Sequence, residues 1–256
     1  MMRVYLDNNV LVDIEYGNYK VSDFIAKPYV ENYYSEAHLN ELLEAVGNPN
    51  VSQDGRLRLI EEICGHNLIL SGGYAQPEFF QKSPIEMYRI VDTPLRALIN
   101  KQVSNLTETF EKIRTELDFD SVRFNNEKPE KVLEILDKRM LEKFHMSLLQ
   151  YLILSEGIGG RVLFITLLNI IDSANYWGDA KTEHSEVARM NDASHAYFAS
   201  VCNVLVTNDK RMRRKIEAIY SFLGIQTKVL SVKEYLTQYI NNAAKAVVMG
   251  EDQLMR

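Results

Sequence analysis

The chain has 256 residues, 46% of them hydrophobic and 25% charged, with 12 Gly and 6 Pro, which excludes a disordered, collagenous or low-complexity protein. A net charge of -6 excludes a molecule whose whole surface is a basic glove for nucleic acid, though not a local basic patch. The two cysteines, Cys64 and Cys202, are too few for a disulfide framework or a cysteine-rich zinc site and point to a reducing compartment.

In chain order, Val4-Tyr5-Leu6 is a short apolar run that ends in Asp7-Asn8-Asn9, as a buried strand reads when it delivers its C-terminal end to a site. No apolar stretch before it could serve as a signal peptide, so the chain is expected in the cytoplasm. After a loop carrying Gly17 and Pro28, Val30 to Tyr34 reads as a second strand. Ser35 reads as the N-cap of a helix over 36–46, stopped by Gly47-Asn48-Pro49. Strand and helix stop alternating after Leu68-Ile69-Leu70. Residues 95–118 and 129–154 instead read as amphipathic helices, separated by Asn125-Asn126-Glu127-Lys128-Pro129. The apolar stretch 148–171 is broken by Glu156, Gly157, Gly159, Gly160 and Arg161, so neither half reaches the ~20 residues that span a bilayer. Two buried helices are expected there.

The C-terminal part alternates again. Ala193, Ala196, Tyr197 and Ser200 form a helix-spaced face, and Val204-Leu205-Val206 reads as a buried strand ending at Thr207-Asn208-Asp209. A basic helix from Lys210 to about Leu223, a turn at Gly224, a strand at Thr227–Leu230 and a last helix from Ser231 follow. Such alternation implies a central, mostly parallel sheet with helices on its faces. The expectation is an α/β domain over 1–50 and 185–256, interrupted by a mostly helical insertion over 51–184.

Strands of an open parallel sheet present ligands at their C-terminal edge. Asp7 and Asp209 each end a strand there, and Asp192 is expected where the helix before the second strand begins. For any one of them a helix cap is the plainer reading. Three acids at corresponding ends of one parallel layer, however, repel one another unless a cation neutralises them. Hard oxygen donors without paired Cys or His point to magnesium or manganese rather than zinc.

These residues resemble the PIN-domain metal-dependent ribonucleases. The resemblance rests on Leu6-Asp7-Asn8-Asn9 followed by apolar residues, on Ser35-Glu36 with Glu41 further along the same helix, on Asp192-Ala193, and on Thr207-Asn208-Asp209. It covers roughly 1–50 and 185–240, leaves the insertion unexplained, and departs from the family at Asn8, where Thr or Ser is more usual. It implies a PIN-like Rossmannoid three-layer α/β/α fold. It also implies that Asp7, Glu41, Asp192 and Asp209 hold one or two Mg2+ or Mn2+ ions for hydrolysis of RNA, single-stranded by expectation. Asn9 and Thr207 are expected to brace the acids rather than ligate. Glu36 and Glu44 lie on the same helix as Glu41, and Glu44, three residues further on, is placed to share its face.

Lys210, Arg211, Arg213, Arg214 and Lys215 crowd the start of the helix after Asp209, where cations oppose the macrodipole. The first four are the candidate phosphate contacts. A solvated helix start is the competing reading. His38 and His195, each three residues from an acid, are expected to pack or hydrogen-bond rather than ligate, and Glu186 is the best additional acid. The glycines at 72–73 and 157–160 match no phosphate-loop fingerprint.

Two other functions compete. A phosphatase of the haloacid dehalogenase type also opens with a strand ending in Asp, but its general acid two residues on is replaced here by Asn9. The remaining alternative is a non-catalytic nucleic-acid-binding or scaffolding module on the same fold. The insertion leaves room for a protein partner or a second copy to dock.

Overall fold

The computed structural model of the protein describes residues 1–25, 29–71, 76–91, 124–154, 159–178 and 183–241. Its centre is a six-stranded sheet formed by β1 (Met2–Leu6), β2 (Val30–Ser35), β3 (Asn67–Leu70), β4 (Glu78–Gln81), β5 (Val204–Val206) and β6 (Lys228–Leu230). The spatial order is β4-β3-β2-β1-β5-β6, and every pair is parallel except β3 with β4.

Side-chain alternation divides the core in two. Val4, Leu6, Val30, Tyr34, Leu68, Val204 and Val206 pack against α1 (Asn8–Glu15), α3 (Gln53–Cys64), α4 (Pro84–Tyr88) and α10 (Val232–Tyr235). On the opposite face Tyr5, Tyr33, Ile69, Leu205 and Val229 pack against α5 (Pro129–Phe144), α6 (Leu148–Leu154), α7 (Gly160–Ser173), α8 (Glu183–Ala199) and α9 (Lys210–Leu223). The short helix α2 (Glu36–Glu44) contributes Ala37 to the second cluster and Leu39 and Leu42 to the first. Each fully buried Leu or Ile in these clusters is worth about 1.5–3 kcal/mol. The helices of the middle segment therefore complete the core of the sheet.

Local chemistry explains the elements that frame the site. In α9 the buried Met212, Ile216, Ile219 and Tyr220 recur at helical spacing. The Asp209 side chain caps its first turn, and Gly224 ends it in the left-handed region at φ 68°, which a glycine adopts without strain. In α2 the capping box has an unusual member. The Ser35 side chain accepts from Ala37 N, while His38, not Glu or Gln, reaches back to accept from Ser35 N at 3.1 Å.

Several expectations need adjustment. The helix expected over 129–154 is two helices, because His145 adopts the left-handed region at φ 52° and Asp137 accepts from Leu148 N (2.6 Å) where α6 begins. The helix expected over 36–46 ends at Glu44. α3, β3 and β4, which fall inside the span 51–184, belong to the sheet and one of its helical layers. Asp192 does not open a helix: α8 starts at Glu183, so Asp192 projects from its interior. The helix expected over 95–118 lies outside the described residues. Among the described residues, no helix is long and apolar enough to cross a membrane.

Candidate functional site

β1 and β5 are parallel neighbours with Leu6 opposite Val206, so Asp7 and Asp209 leave the sheet at the same edge. The Asp7 amide extends the ladder by donating to Val206 O at 2.9 Å. Both acids then serve as N-caps, Asp7 for α1 and Asp209 for α9, which brings two helix N-termini to that edge.

Asp7 is buried and held by three donors: Asn8 N at 2.8 Å, Thr207 Oγ1 at 2.8 Å and Asn9 Nδ2 at 2.5 Å. Asn9 also donates to Thr207 Oγ1 (3.0 Å) and accepts from Asn208 N (3.2 Å), tying the β1–α1 turn to the β5–α9 turn. Even so, burial pushes the Asp7 carboxyl up to about 6, with His195 opposing the rise and Glu41 adding to it. Asp209 is exposed and accepts from Arg211 N (2.7 Å) and Met212 N (3.0 Å).

Asp192 faces this pair from α8. The residue is half-buried but crowded by surrounding protein. Withdrawal from water, then Asp7 and Asp209, then Glu41 hold its carboxyl well above the usual carboxylate range, with Lys215 opposing them. No side chain among the described residues hydrogen-bonds it. Glu41 arrives from α2, its two oxygens taken by Asn8 Nδ2 and by His195 Nε2, the latter at 3.0 Å. Glu44 turns elsewhere and accepts from Asn191 Nδ2 at 3.0 Å.

The two histidines play different parts. His38 donates from Nε2 to Leu6 O (2.7 Å) and accepts at Nδ1 from Ser35 N, which fixes a neutral tautomer; burial and then His195 hold its pKa well below normal. His195 touches Glu41 with Nε2 and the Tyr5 hydroxyl with Nδ1 (2.8 Å), and Tyr5 in turn meets Ser35 Oγ at 2.6 Å. Burial alone would lower the His195 pKa, but Glu41, with Asp7 and Asp192, outweighs it and the net shift is upward.

The basic helix is more engaged than its sequence suggests. Arg213 pairs with Glu234 (2.5 Å), Arg214 with Glu217 (3.3 Å), and Lys215 is buried against Asp172 of α7 at 2.7 Å. Lys210 meets no carboxylate among the described residues; its ammonium lies 4.8 Å from the centroid of the Trp177 ring. Trp177, the chain's single tryptophan, sits half-buried in the left-handed region at φ 49°.

The chain thus brings Asp7, Glu41, Asp192 and Asp209 to one edge, with Asn9 and Thr207 as braces. No three acid, imidazole or thiol groups among the described residues stand within joint reach of one ion. Physically, Asp7, Glu41 and Asp209 are each engaged with nearby donors, and like charges keep apart. The donor chemistry, hard oxygens with no cysteine beside them, suits a divalent cation such as magnesium or manganese. The side chain of Glu186 lies outside the described residues. Arg56, which is not among the expected site residues, is a buried arginine of α3 whose guanidinium binds Glu15 and donates to Asn8 Oδ1 at 2.8 Å. Its signal was legible: Arg56 shares a helix face with Ile60 and Ile63, and a cation on an apolar face requires a partner. Compared with protein-family models, curated proteins and solved structures, the chain matches none.

Proposed function

We propose that the chain is a divalent-metal-dependent nuclease on a PIN-like fold, hydrolysing phosphodiester bonds of single-stranded RNA, with Asp7, Glu41, Asp192 and Asp209 as the residues that hold Mg2+ or Mn2+. The observation that carries this reading is the mutual repulsion at the sheet edge. Burial raises Asp192 most, and Asp7, Asp209 and Glu41 raise it further; Asp7 is itself raised by burial and Glu41. A fold that gathers like charges around a buried Asp7, with Lys215 and His195 opposing them, is one that a cation would stabilise.

When bound, such an ion supplies Lewis-acid chemistry at a phosphodiester, polarising phosphoryl oxygen and acidifying water. The chain's own residues do the rest. Asn9 and Thr207 keep the Asp7 carboxylate aimed by hydrogen bonds to one of its oxygens. Asn8 and His195 orient Glu41. Lys210 and Arg211, exposed beside Asp209, would meet the backbone phosphates, and the Trp177 ring beneath Lys210 would give an unpaired base a stacking surface. Arg213 and Arg214 are secondary, because each already answers a glutamate. The exposed Leu141, Leu149, Ile153 and Leu154 of α5 and α6 are the surface that a second copy or a protein partner would use. Buried, unpaired Cys64 and Cys202 suit the cytoplasm.

The test is cleavage of single-stranded RNA with Mn2+ or Mg2+, its loss on chelation, and Asp209→Asn. That substitution keeps the shape but removes a charge, so cleavage should vanish while RNA affinity stays equal or rises. RNA binding without metal-dependent cleavage would favour the non-catalytic module instead.

A further inference from the structure

Glu41 is held at both oxygens, and the two holds have different origins. From α8, His195 donates to Oε1 at 3.0 Å and is backed by Tyr5 and Ser35. From the other side Asn8 donates to Oε2, and Asn8 is itself held by Arg56. Arg56 is 5% exposed and grips Glu15 through two arms of its fork, Nε to Oε1 at 2.6 Å and Nη2 to Oε2. Its Nη1 donates to Asn8 Oδ1 at 2.8 Å. A guanidinium has donors only, so the amide must turn its oxygen to Arg56 and its N–H groups to Glu41.

We propose that Arg56 is a positioning residue of the candidate site: acting through Asn8, it presets the Glu41 carboxylate for a divalent cation. The inference rests on the metal reading above and adds an element, α3, that contributes no acid to the site. A purely structural clamp between α3 and α1 would be complete with the two arms on Glu15. The third arm goes to Asn8, whose only other side-chain partner among the described residues is Glu41. Asn8 is also the position at which the sequence departs from the PIN pattern, and Arg56 gives that departure a physical sense. An amide can pass on the orientation set by a cation because it presents an acceptor to one side and donors to the other. Remove Arg56, and the amide is free to flip and point its oxygen at Glu41, turning an attraction into a repulsion.

The experiment uses the full chain and Mn2+ alone, titrated calorimetrically without RNA. Arg56→Lys keeps the charge but loses the fork; Asn8→Ala leaves the Arg56–Glu15 pair intact and guards against a folding defect in the first variant. Each should weaken Mn2+ binding by about 10–100-fold, the usual range for groups that orient a ligand from behind. In a Glu41→Gln background neither should add a further loss. Equal losses in both backgrounds, or none in either, would overturn the proposal. Should the unaltered chain take up no Mn2+ at millimolar concentration, the metal reading fails, and chemical denaturation decides the positioning role separately. Arg56 and Glu41 share no hydrogen bond or ion pair among the described residues, so the midpoint shifts of Arg56→Lys and Glu41→Gln should be non-additive only through Asn8. Coupling that disappears with Asn8→Ala supports the relay; additive shifts refute it.

Discussion

Asp7 makes a measurable demand on the fold. Its carboxyl is raised from 3.8 to about 6, chiefly by burial, so the folded state keeps the proton to a higher pH than the unfolded chain does. Between these two values the folded protein binds more protons, and stability falls as pH rises. At about 1.4 kcal/mol per pKa unit, the penalty is about 3 kcal/mol once the pH is well above the folded value. About 1.3 kcal/mol of it should be regained between pH 7 and pH 5, and most of the remainder by pH 4. The assay is urea denaturation in the presence of a chelator, for the unaltered chain and for Asp7→Asn. The amide forfeits part of the hydrogen bonding from Asn9 and Thr207, but that offset does not change with pH. Subtracting the two profiles therefore leaves the Asp7 charge together with its coupling to His195, Asp192 and Glu41. The difference should shrink in favour of the unaltered chain as pH falls, and saturating Mn2+ should abolish the trend by favouring the ionised form. Parallel profiles in chelator would show that the Asp7 carboxylate is not held against its charge, and the argument for a cation would lose its main support.

Mn2+ at a hundred times its dissociation constant should stabilise the chain by about 2.7 kcal/mol, read as a rise in melting temperature that Asp209→Asn reduces. Single-stranded RNA bound in chelator should quench the fluorescence of Trp177, the chain's one tryptophan. Lys210→Ala should lower the salt dependence of that binding by about one counterion, whereas Arg213→Ala and Arg214→Ala should change it less; equal effects of all three would mean that the Glu234 and Glu217 pairs do not hold. Lys215→Met, which leaves Asp172 buried with the weaker Arg189 contact at 3.5 Å, should cost about 3–5 kcal/mol in denaturation experiments.

The strands that carry the acids were legible because each is an apolar run cut short by polar residues, Leu6-Asp7 and Val206-Thr207. Strand β4 was not. Glu78-Phe79-Phe80-Gln81 is a short edge strand with Phe80 exposed, so it lacks a clean alternation. The stretch from Glu183 to Asn191 has no apolar period, so the sequence alone suggests a helix opening at Asp192. The structure continues the helix through it, with residues 187–191 exposed or half-buried. The hydrogen bonds of Glu41 were invisible for a different reason. His195 lies 154 residues away and Arg56 acts through an intermediary, and no local spacing encodes a contact made only when distant elements pack.

The sheet order has a consequence for biosynthesis. β1 stands between β2 and β5, and β5 is made some 200 residues after it, with Val4 aligned to Val204. Until that late strand emerges, one edge of β1 has no hydrogen-bonding partner, and Tyr5 and its neighbours lack the cover of α8 and α9. A nascent chain ending near residue 178 therefore carries an open strand edge beside uncovered apolar side chains, the combination that invites pairing with another copy. Folding dominated by so distant a pairing is slow. β1 is made long before its second partner and is completed only when that partner arrives, so premature termination should yield an aggregate rather than a smaller folded domain.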